Sequence, residues 1–163
     1  ADVAHPGPWV FRSRARPASA PAQPRPGPGS MPISRSPSQS STRSYRVDKS
    51  EQEWRAELGP TKYRILRQQG TEPPNSSVLN NMYPEQGHFK CSGCGHPLYT
   101  ADAKFKSSCG WPCFDQVVYS EEGGCHVGVN PSHGQFEIVC NNCGGHLGHV
   151  FYGERCTANN ERH

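Results

Sequence analysis

Cys140-Asn-Asn-Cys143-Gly-Gly-His146-Leu-Gly-His149-Val-Phe151 places two thiols at the spacing of a metal knuckle directly before two histidines. Gly144, after the second thiol, can adopt a positive φ and let the chain turn tightly beneath an ion. The same C-x-x-C-Gly unit occurs upstream as Cys91-Ser-Gly-Cys94-Gly95. Together Cys91, Cys94, Cys140 and Cys143 offer four thiolates for one tetrahedral zinc per chain. Four sulfurs close the coordination sphere and leave no position for water, so this zinc is expected to be structural rather than hydrolytic. Either C-x-x-C alone could instead be a thioredoxin-like redox pair, but neither runs into a good helix, and two Gly-terminated copies favour metal. His146 and His149 are then free for other chemistry.

A second cluster lies between the knuckles, Cys109-Gly-Trp111-Pro-Cys113-Phe114. A tryptophan held between glycine and proline has little freedom, and its indole can form the fixed wall of a pocket. The plainer alternative is a core tryptophan in a tight turn flanked by inert buried thiols. Cys125 and Cys156 read as spectators, and His88, His96, His126 and His133, scattered among turn residues, as solvated.

The elements that must position these groups are short. Ser50-Glu-Gln-Glu53 is a capping box that starts a helix ending at Gly59-Pro60, and one or two further helical turns follow over 61–67. Beyond Gly70 the signals change to strands of three to six residues, at 88–91, 97–100, 104–106, 114–119, 125–129, 136–140 and 149–152. The expected fold is mainly β, two antiparallel sheets with short N-terminal helices.

Residues 1–47 hold nine of the 16 prolines, seven arginines and a single acid, Asp2. Such a segment cannot bury enough apolar surface to offset its ordering entropy and is expected to be a disordered tail, with the folded domain at 48–163. It carries +7 and −1, so the domain keeps +10 and −13, and the overall +3 belongs to the tail. A near-neutral domain without a basic run argues against nucleic-acid binding, and no apolar run reaches membrane length. An Arg-rich, Ser-rich, acid-poor leader has the composition of a mitochondrial or plastid transit peptide; a plain linker in a cytoplasmic protein, or translation starting at Met31, are the alternatives.

Taken together, Gly70-Thr-Glu-Pro-Pro74, the first knuckle with Gly95-x-Pro97-Leu98, Lys104-Phe105, Cys109-Gly-Trp-Pro112, the second knuckle with His146-Leu-Gly-His-Val-Phe151, and Glu161-Arg-His163 resemble the B-type methionine-R-sulfoxide reductases in order and spacing. The resemblance covers about residues 50–163. It implies a structural zinc in the two knuckles. It also implies a reactive Cys that attacks the sulfoxide sulfur of protein-bound methionine-R-sulfoxide and becomes a sulfenic acid. A resolving Cys condenses with it to a disulfide, which thioredoxin reduces. By the same resemblance Cys109 is the resolver, Trp111 packs on the substrate methyl, and His146 and His149 orient water and supply a proton. Arg162 lowers the attacking thiol's pKa, and a monomer is expected. The family's nucleophile directly follows the residue matched by His163. The 163-residue chain is accordingly expected to be inactive as it stands, a fragment of a cysteine enzyme being favoured over a selenocysteine codon read as a stop. Cys113 replaces a small residue, Gln135 a common arginine, Gly153 an aspartate found beside the site in some members, and Asn75 an aromatic or small residue. Two other classes compete: a zinc-ribbon binding module, which would want a basic face, and a catalytically inactive reductase-like domain.

Overall fold

The computed structural model describes residues 9–12, 44–132 and 134–163. The fold is mainly β, built from small antiparallel sheets around one kinked helix. Helix α1 spans Glu51–Arg67. Its capping box forms as the sequence predicts: the Ser50 side chain accepts from the Glu53 N–H, and the Ser50 N–H donates to the Glu53 carboxylate at 2.8 Å. Gly59 leaves helical geometry (φ 69°, ψ 173°) and Pro60 opens the second segment, so the expected pair of helices appears as two arms of one kinked element.

Among the described residues there are twelve strands, β1 before α1 and the rest after it: β1 Trp9–Arg12, β2 His88–Cys91, β3 Pro97–Thr100, β4 Lys104–Phe105, β5 Cys113–Phe114, β6 Tyr119–Ser120, β7 Gly124–Cys125, β8 Val127–Ser132, β9 Gln135–Cys140, β10 His146–His149, β11 Phe151–Tyr152 and β12 Glu161–Arg162. Two sheets have three strands, ordered β1-β2-β3 and β10-β9-β8; β4-β5, β6-β7 and β11-β12 are two-stranded ladders. All pairings are antiparallel. Strand β1 lies inside the segment expected to be a disordered tail, with Trp9 paired to Cys91 and Arg12 to His88. Trp-Val-Phe is a run of strand formers, and it supplies an antiparallel neighbour for β2. The rest of the expected tail up to residue 43 lies outside the described residues.

The core joins helix to sheets. Trp54, Tyr63 and Leu66 of α1 pack with Phe89, Leu98, Tyr99, Phe114, Ile138, Leu147 and Val150, and all are buried. Phe114 stacks on Tyr99 with centroids 4.2 Å apart and meets Phe89 edge-on at 4.8 Å, tying β2, β3 and β5 into one aromatic block. No helix among the described residues is long and apolar enough to cross a membrane.

Candidate active site and metal centre

The two knuckles are built alike. In each, the first cysteine's N–H donates to a carbonyl five residues on (Cys91 to His96, 2.8 Å; Cys140 to Gly145, 2.9 Å), and its own carbonyl accepts from the glycine four residues on (Gly95 and Gly144, both 2.8 Å). Both glycines sit near φ 72° (73° and 72°), and at Gly144 a Cβ would lie 2.5 Å from the Tyr45 ring. Only glycine fits there.

The four sulfurs all lie within 4.8 Å of one another. Cys91 and Cys143 are 3.7 Å apart, as are Cys94 and Cys140. A tetrahedral ion with metal–sulfur bonds of about 2.3 Å requires sulfur–sulfur edges of about 3.8 Å, so the thiols already stand at coordination distance for one ion. Three of the four cysteines are buried. The arrangement fits a structural metal ion with every position filled by protein.

The five residues singled out for chemistry, Cys109, Trp111, His146, His149 and Arg162, line one cavity of about 320 Å³. The 109–113 loop is held by the 70–75 segment and by Asn80: Asn75 N–H donates to the Gly110 carbonyl (2.7 Å), Asn80 Nδ2–H to the same oxygen (2.7 Å), and Trp111 Nε1–H to the Glu72 carbonyl (3.0 Å). Gly110 has φ 94°, and a Cβ there would stand 2.8 Å from Pro74 Cβ, so the Gly-Thr-Glu-Pro-Pro and Gly-Trp-Pro motifs require each other. Anchored by its N–H edge, Trp111 stays 38% exposed on the cavity wall and is not a core residue.

Strand β10 carries both histidines. His146 is buried, and its Nδ1 meets Glu137 Oε1 on β9 at 2.8 Å. Since a carboxylate only accepts, Nδ1 bears the hydrogen and the ring orientation is fixed. Glu137 is itself held by Gln69 Nε2–H at 2.9 Å. The His149 ring lies 5.7 Å from that of His146 at 72°, and burial together with His146 pushes its pKa down, against the pull of Glu137.

Arg162 on β12 donates from Nε and a terminal nitrogen to the two Glu154 oxygens, at 2.6 and 2.8 Å, and lies over the Phe151 ring at 4.3 Å. The Glu154 carboxylate raises the guanidinium's pKa further, so the cation is permanent. Burial raises the Cys109 thiol, but hydrogen bonding with Ser107, the Trp111 backbone and Cys113 outweighs it and lowers the pKa. Burial first, and then Cys109, push the Cys113 thiol up to about 11. Cys109 and Cys113 sulfurs are 3.2 Å apart.

Glu137 and Glu154 were not among the predicted site residues. For Glu137 the signal was its place in a strand hydrogen-bonded to the two-histidine strand, with Glu137 opposite His149. For Glu154 it was adjacency to Gly153, which stands where some members of the resembled family carry an aspartate. The reading of His126 as solvated is corrected: it is buried, with Nδ1 2.8 Å from the Pro97 carbonyl and Nε2 3.0 Å from Ser120 Oγ. The His96 ring lies 4.1 Å from it, tilted by 31°, and is half-buried, also contrary to expectation; His133 lies outside the described residues. Cys125 and Cys156 are exposed; the Cys125 carbonyl accepts from Asn141 Nδ2–H of the second knuckle at 2.7 Å.

The SelR domain model matches residues 58–163. Among curated proteins, the chain is similar to peptide methionine sulfoxide reductase B5 of Oryza sativa, 46% identical over 116 residues, 71% of this chain and 82% of that protein. It is similar to the chloroplastic peptide methionine sulfoxide reductase B2 of Arabidopsis thaliana, 47% identical over 118 residues, 72% of this chain and only 56% of that protein's length. The peptide methionine sulfoxide reductase MsrB of Methanosarcina mazei is 42% identical over 108 residues, 65% of this chain and 75% of that protein.

Proposed function

Because the chain belongs to the SelR-domain family, the B-type peptide methionine sulfoxide reductases, we propose that it reduces methionine-R-sulfoxide in oxidised proteins and is recycled by thioredoxin. The observation that carries this reading is the convergence of Trp111, His146, His149, Arg162 and Cys109 on one cavity. The sulfoxide's methyl group packs on the Trp111 indole. Its oxygen lies toward His146 and His149, whose rings deliver the proton that lets the S–O bond break. An attacking thiol or selenol presented beside Arg162 is favoured as the anion by that permanent cation. The thiol takes the oxygen as a sulfenic acid and methionine leaves. Cys109 then attacks the sulfenic sulfur, expelling water, and the resulting disulfide passes to thioredoxin.

The ion in the four-cysteine centre is read as zinc, one per chain, since thiolate-only tetrahedra favour it. It would tie the β2–β3 hairpin to the β9–β10 turn, remote from the reacting sulfur. The composition of residues 1–47 supports an organellar address, mitochondrial or plastid.

The reading is tested on the full translation product of the gene, comparing wild type with Cys109→Ser. The variant should release about one methionine per enzyme from a methionine-R-sulfoxide peptide and then stall with thioredoxin, because the sulfenic acid has no resolver. Sustained thioredoxin-driven turnover by Cys109→Ser would overturn the role given to this residue.

A further inference from the structure

Cys113 has no part in that scheme, yet its sulfur lies 3.2 Å from that of Cys109. Their 3.2 Å separation lies inside the sum of two sulfur radii, tighter than the 3.7 Å edges of the metal centre. It exceeds a disulfide bond by only about 1.2 Å, taking the bond as about 2.05 Å. The turn that brings them together is short and fixed: Gly110 at φ 94° reverses the chain, and Pro112 stiffens it. Both sulfurs face the Trp111 carbonyl, at 3.5 and 3.4 Å, and both line the cavity. Cys109 is half-exposed there, whereas Cys113 is buried, held in β5 opposite Phe105.

We propose that Cys109 and Cys113 are a redox couple in their own right, closing an intrachain disulfide on the cavity wall with Cys109 as the sulfur oxidised first. With a hydroperoxide as oxidant, the Cys109 thiolate attacks the terminal peroxide oxygen. The O–O bond breaks, the alcohol or water leaves with a proton, and Cys109 becomes a sulfenic acid. Cys113 gives up its proton and attacks the Cys109 sulfur; the S–O bond breaks and the hydroxyl leaves as water. Two thiols are oxidised by two electrons and one peroxide is reduced. The opposed displacement of the two thiols suits these roles, with Cys109 the readier nucleophile and Cys113 the protonated partner that becomes nucleophilic when it attacks. A small dithiol reverses the step by attacking the accessible Cys109 sulfur and releasing Cys113. The couple itself does not depend on the reductase reading.

The test uses the metal-loaded, fully reduced chain and one equivalent of hydrogen peroxide as probe. Thiols are blocked with N-ethylmaleimide, disulfides reduced and relabelled with iodoacetamide, and the labels located by mass spectrometry. Cys109 and Cys113 should acquire the second label together, while the four knuckle cysteines remain bound to metal. In Cys113→Ser, dimedone capture of a sulfenic acid at Cys109 should rise by about tenfold, since nothing resolves it. Metal content and circular dichroism establish that the variant is folded; if it is not, the wild-type labelling alone decides. The proposal fails if Cys109 is oxidised while Cys113 keeps the first label, if Cys109 is found linked to another cysteine, or if neither sulfur reacts.

Discussion

Removing the ion should unfold the domain, and the size of the effect follows from where the ion sits. The two knuckles are separated by 45 residues of sequence, so one ion closes a loop containing β3 to β9. Cys91, Cys140 and Cys143 belong to the same buried cluster as Leu66 and Leu147, and a Cβ on Gly145 would lie 3.3 Å from Leu66 Cδ2. A structural zinc contributes about 10–16 kcal/mol of apparent binding energy, against a total stability of about 5–15 kcal/mol for an ordinary domain. The first quantity is as large as the second, so no folded metal-free state should survive. The measurement is elemental analysis, for about one zinc per chain, followed by a thermal melt monitored by circular dichroism before and after a high-affinity chelator. Chelation should abolish the cooperative transition, and stoichiometric zinc should restore it. Cys94→Ser, at the least buried ligand, should lose both metal and transition. A chelated protein that keeps its melting curve would refute the reasoning, as would purified, folded protein with no zinc.

Three further outcomes are expected. In the full translation product, His149→Ala should slow sulfoxide reduction by about 10²- to 10⁴-fold, the usual worth of a positioned proton donor; an unchanged single-turnover rate would remove it from the mechanism. Glu137→Ala should lower kcat/KM by about 10- to 150-fold, the equivalent of about 1.5–3 kcal/mol for a charge-assisted hydrogen bond to His146, without changing the zinc content. Lys104 is buried, and desolvation pulls its pKa down to about 8 despite the opposing pull of Cys113. Between that value and the ordinary 10.5 the unfolded chain binds more protons than the folded one, so folding stability should rise with pH across that window. Relative to Lys104→Met, wild type should gain stability from pH 8 to 10 in denaturant titrations; a difference that stays flat with pH would contradict this.

What was legible in the sequence was local. The capping box at Ser50, the break at Gly59-Pro60 and the two knuckles each depend on residues within about five positions of one another, and each appears where its spacing puts it. The strands at 88–91, 97–100 and 136–140 were legible for the same reason, but 114–119 is divided between β5 and β6, 125–129 between β7 and β8, and 149–152 between the last residue of β10 and β11, so most of β10 was missed. What escaped was decided by distant partners. Trp9–Arg12 is a short strand-forming run whose signal vanished when composition was averaged over 47 residues, and its reason to be ordered is the edge of β2. His126 looks like any turn histidine until Pro97 and Ser120 close around it. Glu137 and Glu154 are ordinary acids in sequence; only strand register brings one to His146 and the β11–β12 hairpin brings the other to Arg162.

The central claim concerns the cavity, and stereochemistry tests it most directly. A sulfoxide sulfur has four substituents: the methyl, the oxygen, the side chain and the lone pair. Holding the methyl against Trp111, the oxygen near His146 and His149, and the side chain toward the open mouth leaves a single direction for an incoming thiolate. Only one epimer then presents its sulfur correctly. The full translation product should therefore be assayed with dithiothreitol on peptides carrying the pure R or the pure S sulfoxide. The account predicts turnover of the R epimer with the S epimer left intact; equal rates on the two would contradict it.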